Sequence, residues 1–289
     1  MPTELVLTNG GSSAVLSSRG AELMSWRVAG REMIWNGDAR WWPRRAPILF
    51  PFNGWLNGHR FRAKGTTYET PVHGFGPGAE FRLDRVDDAA AILRLTDTEQ
   101  THAVFPFAFE VTVNARLDPD GMDFQFEVRN PASEVLPFSI GFHPGFVSPF
   151  DGGDPDAYEI VFEKAEAFDI PRIAPGGLFT DQPLDGVPMR GARLNVAAGL
   201  ARQESLCFRH TASRRLEFVA PSGRRLAIES EGFAHWVIWR RPGGAYLCIE
   251  GWSGHGDPVG FVSDITEKPG MTLLPPGDVR RYRFRFRFV

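Results

Sequence analysis

Two histidines and one glutamate stand in settings suited to moving protons. His73 lies in Val72-His73-Gly74-Phe75-Gly76, and His143 in Gly141-Phe142-His143-Pro144-Gly145-Phe146. Each is flanked by aromatics and by Gly or Pro, which free or restrict the backbone. That combination holds an imidazole at a fixed angle beside an apolar surface. An unperturbed imidazole titrates near about 6.5, so it can give or take a proton at neutral pH. Glu250 ends the apolar run Tyr246-Leu247-Cys248-Ile249 and is followed by Gly251-Trp252-Ser253-Gly254. A carboxyl in that position is half-desolvated, which raises its pKa toward that of a general base. Acid, base and aromatic faces together suit a sugar, whose C–H face packs on rings while its hydroxyls seek polar groups. Plainer readings stand beside these: hydrogen-bonded structural histidines and a salt-bridged glutamate at a strand end.

Groups of this kind need rigid elements to hold them, and the pattern is that of strands. The 289 residues include 24 Phe and 8 Trp alongside 31 Gly and 23 Pro. Aromatics favour pleated, half-buried surfaces, whereas Gly and Pro punctuate turns. Apolar residues alternate with polar ones: Val111, Val113, Ala115 and Leu117 share one face, Phe124, Phe126 and Val128 the next. Asp118-Pro119-Asp120-Gly121 between them reads as a hairpin turn, with Pro presetting φ and Gly accepting positive φ. Further strands are expected around 5–7, 22–28, 91–95, 159–162, 216–220, 225–229, 236–240 and 246–250. Segments 151–156 and 171–188, rich in Gly, Pro and Asp, read as long surface loops. No composition shift or 20–50-residue repeat divides the chain. The expectation is an all-β single domain over 1–289, with large antiparallel sheets packed face to face.

Composition also excludes. A formal net charge of -3 argues against nucleic acid or a polybasic membrane contact. Tyr282, Phe284, Phe286 and Phe288 alternate with Arg281, Arg283, Arg285 and Arg287. The row reads as a strand with an aromatic core face and a solvated cationic face rather than a polyanion site. Cys207 and Cys248 are too few for a disulfide framework and lack metal-ligand spacing. Met1–Leu7 has no basic region followed by a long apolar stretch, so a cytoplasmic protein, monomer or homodimer, is expected.

Several blocks, in order, resemble the aldose 1-epimerase superfamily, in particular its LacX-like bacterial branch. They are Arg45-Ala46-Pro47-Ile48-Leu49-Phe50-Pro51, His73-Gly74-Phe75, His143-Pro144-Gly145-Phe146 and Glu250-Gly251-Trp252-Ser253-Gly254 with Asp257 after it. Lys268-Pro269-Gly270 and Leu274-Pro275-Pro276-Gly277 resemble the closing segment. The resemblance implies a galactose-mutarotase-like β-supersandwich that interconverts the anomers of an aldohexose without cofactor or metal. It implies His143 as general acid, Glu250 as general base, and Arg45, His73, Trp252 and Asp257 as sugar-binding residues; Asp257 reads equally as stabilising its loop. Gly76-Pro77-Gly78 and Gly54-Trp55-Leu56 stand where the branch carries arginines, which favours a neutral sugar. A hexose-6-phosphate epimerase, using Arg44, Arg45 or Arg60, and a non-catalytic sugar sensor are the alternatives. A cupin-like metal site of His73, His143 and Glu250 fits less well, because cupin ligand histidines come as a close pair. A glycosidase would need a second carboxylate.

Overall fold

The Arg–aromatic alternation near the C-terminus becomes the strand Val279–Phe288, in the middle of a ten-stranded antiparallel sheet. This computed structural model describes residues 2–289. Tyr282, Phe284 and Phe286 are buried, while Arg281, Arg283 and Arg285 reach Glu127 at 2.9 Å, Asp123 at 2.6 Å and Asp118 at 3.2 Å. Those arginines are therefore paired across neighbouring strands, a solvated face as the alternation implied.

Next to it runs the hairpin Glu110–Leu117 and Gly121–Arg129, in which Leu117 pairs with Met122. The turn falls at Asp118–Gly121, but Gly121 is not among the residues with positive φ. Its value lies in packing: a Cβ there would sit 2.3 Å from the carbonyl oxygen of Phe286. Glycine is needed for close backbone approach, not for a left-handed conformation.

A six-stranded sheet packs on this one. Its order is Ser205–Phe208, His235–Trp239, Tyr246–Trp252, Gly141–Phe142, Ile48–Leu49, with Gly145–Val147 also paired to Tyr246–Trp252. Side chains alternate across a strand with period two. Leu247 and Ile249 accordingly enter the main core, and Gly251 lies against Phe284. Phe142 meets Phe124 at 4.7 Å and Phe284 at 5.4 Å between ring centroids. Cys248, Glu250 and Trp252 must then point the other way. The inner face of the smaller sheet builds the core, and its outer face is left for a site.

Two of the loops foreseen from composition differ in outcome. Residues 151–156 are irregular, ending in the short turn Pro155–Ala157. Residues 171–188 instead contain a ribbon, Pro171–Ile173 paired with Phe179–Pro183. Its apolar anchors, Ile173 and Phe179, are too sparse for the alternation to show. Among the described residues no helix is long and apolar enough to cross a membrane.

Candidate active site

The outer face of the six-stranded sheet floors a cleft of about 1290 Å³. His143 sits between two short strands, fixed by its own N–H on the Pro47 carbonyl at 3.1 Å and by the Gly145 N–H on Arg45 at 2.7 Å. Its flanking glycines make room for indoles. A Cβ on Gly145 would lie 2.9 Å from Trp42, and one on Gly141 3.0 Å from Trp252. Trp42 stacks on the His143 ring at 4.7 Å, and Trp239 meets it edge-on at 5.6 Å.

Glu250 faces this imidazole. Oε2 lies 3.4 Å from His143 Nε2 and accepts the indole N–H of Trp252 at 2.7 Å. Oε1 of Glu250 and Nδ1 of His143 are buried without a protein partner. Burial pushes the carboxyl well up and the imidazole well down, His73 nearby adding to the latter. Both directions favour a neutral pair that shares one proton. An imidazole and a carboxyl so placed can pass protons to and from two oxygens of one small molecule.

His73 completes the group, its ring 5.4 Å from His143 and 5.6 Å from Trp252. It adopts φ +65°, an αL conformation that is uncommon for a non-glycine residue. Its Nδ1 accepts the Gly54 N–H at 3.1 Å, and its own N–H reaches the Gly54 carbonyl at 3.1 Å. Burial lowers its pKa to about 3. With Nδ1 accepting, the single proton sits on Nε2, available as a donor.

The structure brings His73, His143, Glu250 and Trp252 together, but not Arg45 or Asp257. Arg45 spends its guanidinium on the Met24 carbonyl at 2.5 Å and does not line the cleft; Arg44, its neighbour, does. Asp257 is buried outside the cleft, 3.6 Å from the Lys268 ammonium, and accepts the Asn57 N–H at 2.8 Å. Of its two readings, the loop-stabilising one fits this geometry. Trp42 and Trp239 were not singled out from sequence. Trp239 shares a strand face with Val237 opposite Glu250, so strand alternation carried that signal.

The ligand atoms of His143, Cys248 and Glu250 lie within 4.8 Å of one another. Cys248, not His73, is thus the third group at metal-like spacing. Burial raises the Cys248 thiol well above its ordinary range, so with no metal beside it the group is protonated.

Comparison with known proteins places this architecture. Residues 3–287 match the family described as Aldose 1-epimerase. The chain is 25% identical over 262 residues to the chromosomal LacX protein of Lactococcus lactis subsp. lactis, spanning 87% of this chain and 88% of that one. A galactose mutarotase-like protein of Lactobacillus casei superposes with TM-score 0.89 at 24% identity, covering 99% of this chain and all of that one. A galactose mutarotase related enzyme of Lactobacillus acidophilus gives TM-score 0.87 at 25% identity, over 99% and 97% of the two chains. The chain belongs to the aldose 1-epimerase family, isomerases acting on carbohydrates.

Proposed function

We propose that the protein interconverts the α and β anomers of a neutral aldohexose, with His143 as acid and Glu250 as base. The observation that carries this reading is the single contact of 3.4 Å between Nε2 and Oε2 on the cleft floor. Glu250 takes the proton from the anomeric hydroxyl while His143 gives one to the ring oxygen. The C1–O5 bond breaks with its electron pair going to O5, and the aldehyde forms. Rotation about C1–C2 then presents the other carbonyl face, and the reverse transfers close the opposite anomer. Ring opening turns the charged pair into the neutral one, the state burial favours. The desolvated site therefore stabilises the open-chain side of the reaction.

The Trp252 indole holds Oε2 and leaves Oε1 free to receive the proton. His73, donating from Nε2, orients a sugar hydroxyl. Of Arg44, Arg45 and Arg60, Arg44 alone lines the cleft, with its guanidinium on the Pro77 carbonyl at 2.6 Å and 3.6 Å from Glu22; Arg241 lines it too. The neutral sugar rests on the reacting pair, which needs no cation, and glucose 6-phosphate is the substrate that tests it. Positioned acid and base groups contribute on the order of 10²–10⁴-fold each. Glu250→Gln should therefore lower the rate at least about a hundredfold by polarimetry of freshly dissolved glucose and galactose, with binding retained. A variant as fast as wild type removes Glu250 from the mechanism. A wild type that binds a sugar calorimetrically without speeding mutarotation makes the protein a sensor.

A further inference from the structure

The reacting groups occupy only the floor of the cleft. Its volume of about 1290 Å³ exceeds the roughly 300–1,000 Å³ of sites that enclose drug-sized ligands. A lone hexose pressed against His143 and Glu250 leaves most of that space to solvent, and the wall that bounds it is built.

Trp55 stands on that wall. It lines the cleft, remains 37% exposed, and meets His59 edge-on at 5.0 Å rather than any ring stacked around His143. The indole is held from several sides. A Cβ on Gly177, at φ +80°, would lie 1.9 Å from Cδ1 of the indole, so the 171–183 ribbon can touch it only through glycine. The Trp55 carbonyl accepts the Asp257 N–H at 2.8 Å, while the Asp257 carboxylate takes the Asn57 N–H on the other side of the same loop. The buried Asp257–Lys268 pair thus fixes the loop that carries the indole. A rigid, open aromatic face costs little to order on binding and suits the C–H face of a pyranose. Gln100 and Glu204 line the same cleft and offer hydrogen bonds of the kind hydroxyls take.

We propose that the substrate is the reducing end of an oligosaccharide, with Trp55 as platform for its second ring. This rests on the anomer-interconverting reading above. That chemistry needs a free anomeric hydroxyl on the floor, so the second ring must hang from another hydroxyl of the reacting sugar and point outward.

Anomer-exchange NMR on the full chain tests this with glucose, galactose, maltose, cellobiose, lactose and glucose 6-phosphate. We expect kcat/KM for at least one disaccharide to exceed that of its parent hexose about tenfold, the equivalent of about 1.4 kcal/mol. Trp55→Ala should collapse that ratio toward one, and Trp55→Phe, which keeps a stacking face, should restore most of it. Disaccharides no faster than their parents, a ratio untouched by Trp55→Ala, or glucose 6-phosphate as the best substrate would each overturn the proposal. If no sugar exchanges faster with wild type than with Glu250→Gln, the reaction itself is misassigned and this inference goes with it. Fast exchange of the hexoses alone removes only the second-ring platform.

Discussion

At the scale of residues, the question is how one buried proton is kept where it is useful. His143 and Glu250 hold one proton between them in either the neutral or the charged arrangement, so both belong to one titration state of the pair. That state is lost above the raised value of Glu250 and below the lowered value of His143. The pH–rate profile should accordingly be flat through neutrality. Isolated groups at their ordinary values of about 4.3 and 6.5 would confine it to the acid side. Burial sets the upper edge, and Trp252 draws it back down, because its indole N–H favours the charged carboxylate. Trp252→Phe keeps the ring and removes the donor. Its alkaline edge should move upward by about one pH unit, the worth of roughly one hydrogen bond, and kcat should fall about tenfold with KM little changed. An effect on KM alone, with the edge unmoved, would show that the indole merely packs against the sugar. Four of the six site residues proposed from sequence meet in the cleft, since each lies beside a glycine or aromatic that shapes the floor. Arg45 and Asp257 do not. A block of residue types carries no side-chain direction, and Arg44 and Arg45 diverge within one block.

At the scale of elements, the floor depends on how closely backbone segments approach one another. Gly74 follows His73 at φ +73°, and a Cβ there would lie 2.5 Å from the Phe50 carbonyl oxygen. Gly74→Ala must therefore displace either the Phe50–Gly54 loop or His73, the imidazole that loop holds. We expect a loss of about 2–3 kcal/mol in stability, together with a fall in kcat/KM. Gly11→Ala is the control, with φ +88° but nothing within 4 Å of a Cβ, and should cost only the conformational strain of about 1–2 kcal/mol. Thermal melts and anomer exchange on both variants separate clash from strain; equal losses would mean the Phe50 contact yields freely. Strands were legible because alternation is local: the expected 91–95 is Ala90–Thr96 and the expected 246–250 is Tyr246–Trp252. The ribbon over the cleft was not. Phe179 is held there by stacking on His255 at 5.1 Å, a contact between segments 76 residues apart that no local pattern encodes. Gly121 shows the same limit, for its neighbour is Phe286 on another strand.

At the scale of the whole molecule, two aromatic-rich sheets enclose imidazoles as neutral groups, and stability must answer to pH. Burial lowers His73 to about 3, His235 to about 2 and His255 to about 4. His255 is lowered further by Lys268, and His235 by its neighbours His255 and His210. In the unfolded chain each titrates near about 6.5. Below that value the unfolded state binds protons the folded state refuses, so these histidines cost stability as pH falls. Glu22, Glu250 and Asp257 pull the other way: burial raises each, and the folded state keeps their protons where the unfolded state has lost them. That offset ends once the unfolded carboxyls are protonated too, at about pH 4. Between neutrality and about pH 5 the raised carboxyls offset part of that cost, so the urea midpoint should decline only gently. Below about pH 4 the imidazoles act unopposed. Three of them give a slope of up to about 4 kcal/mol per pH unit, at about 1.4 kcal/mol per proton, enough to unfold a domain of ordinary stability within one to two units. Urea midpoints measured from pH 7 to pH 3.5 should therefore fall gently at first and then steeply. A midpoint that stays level down to pH 3.5 would place those rings in contact with solvent, where folded and unfolded chains take up protons alike.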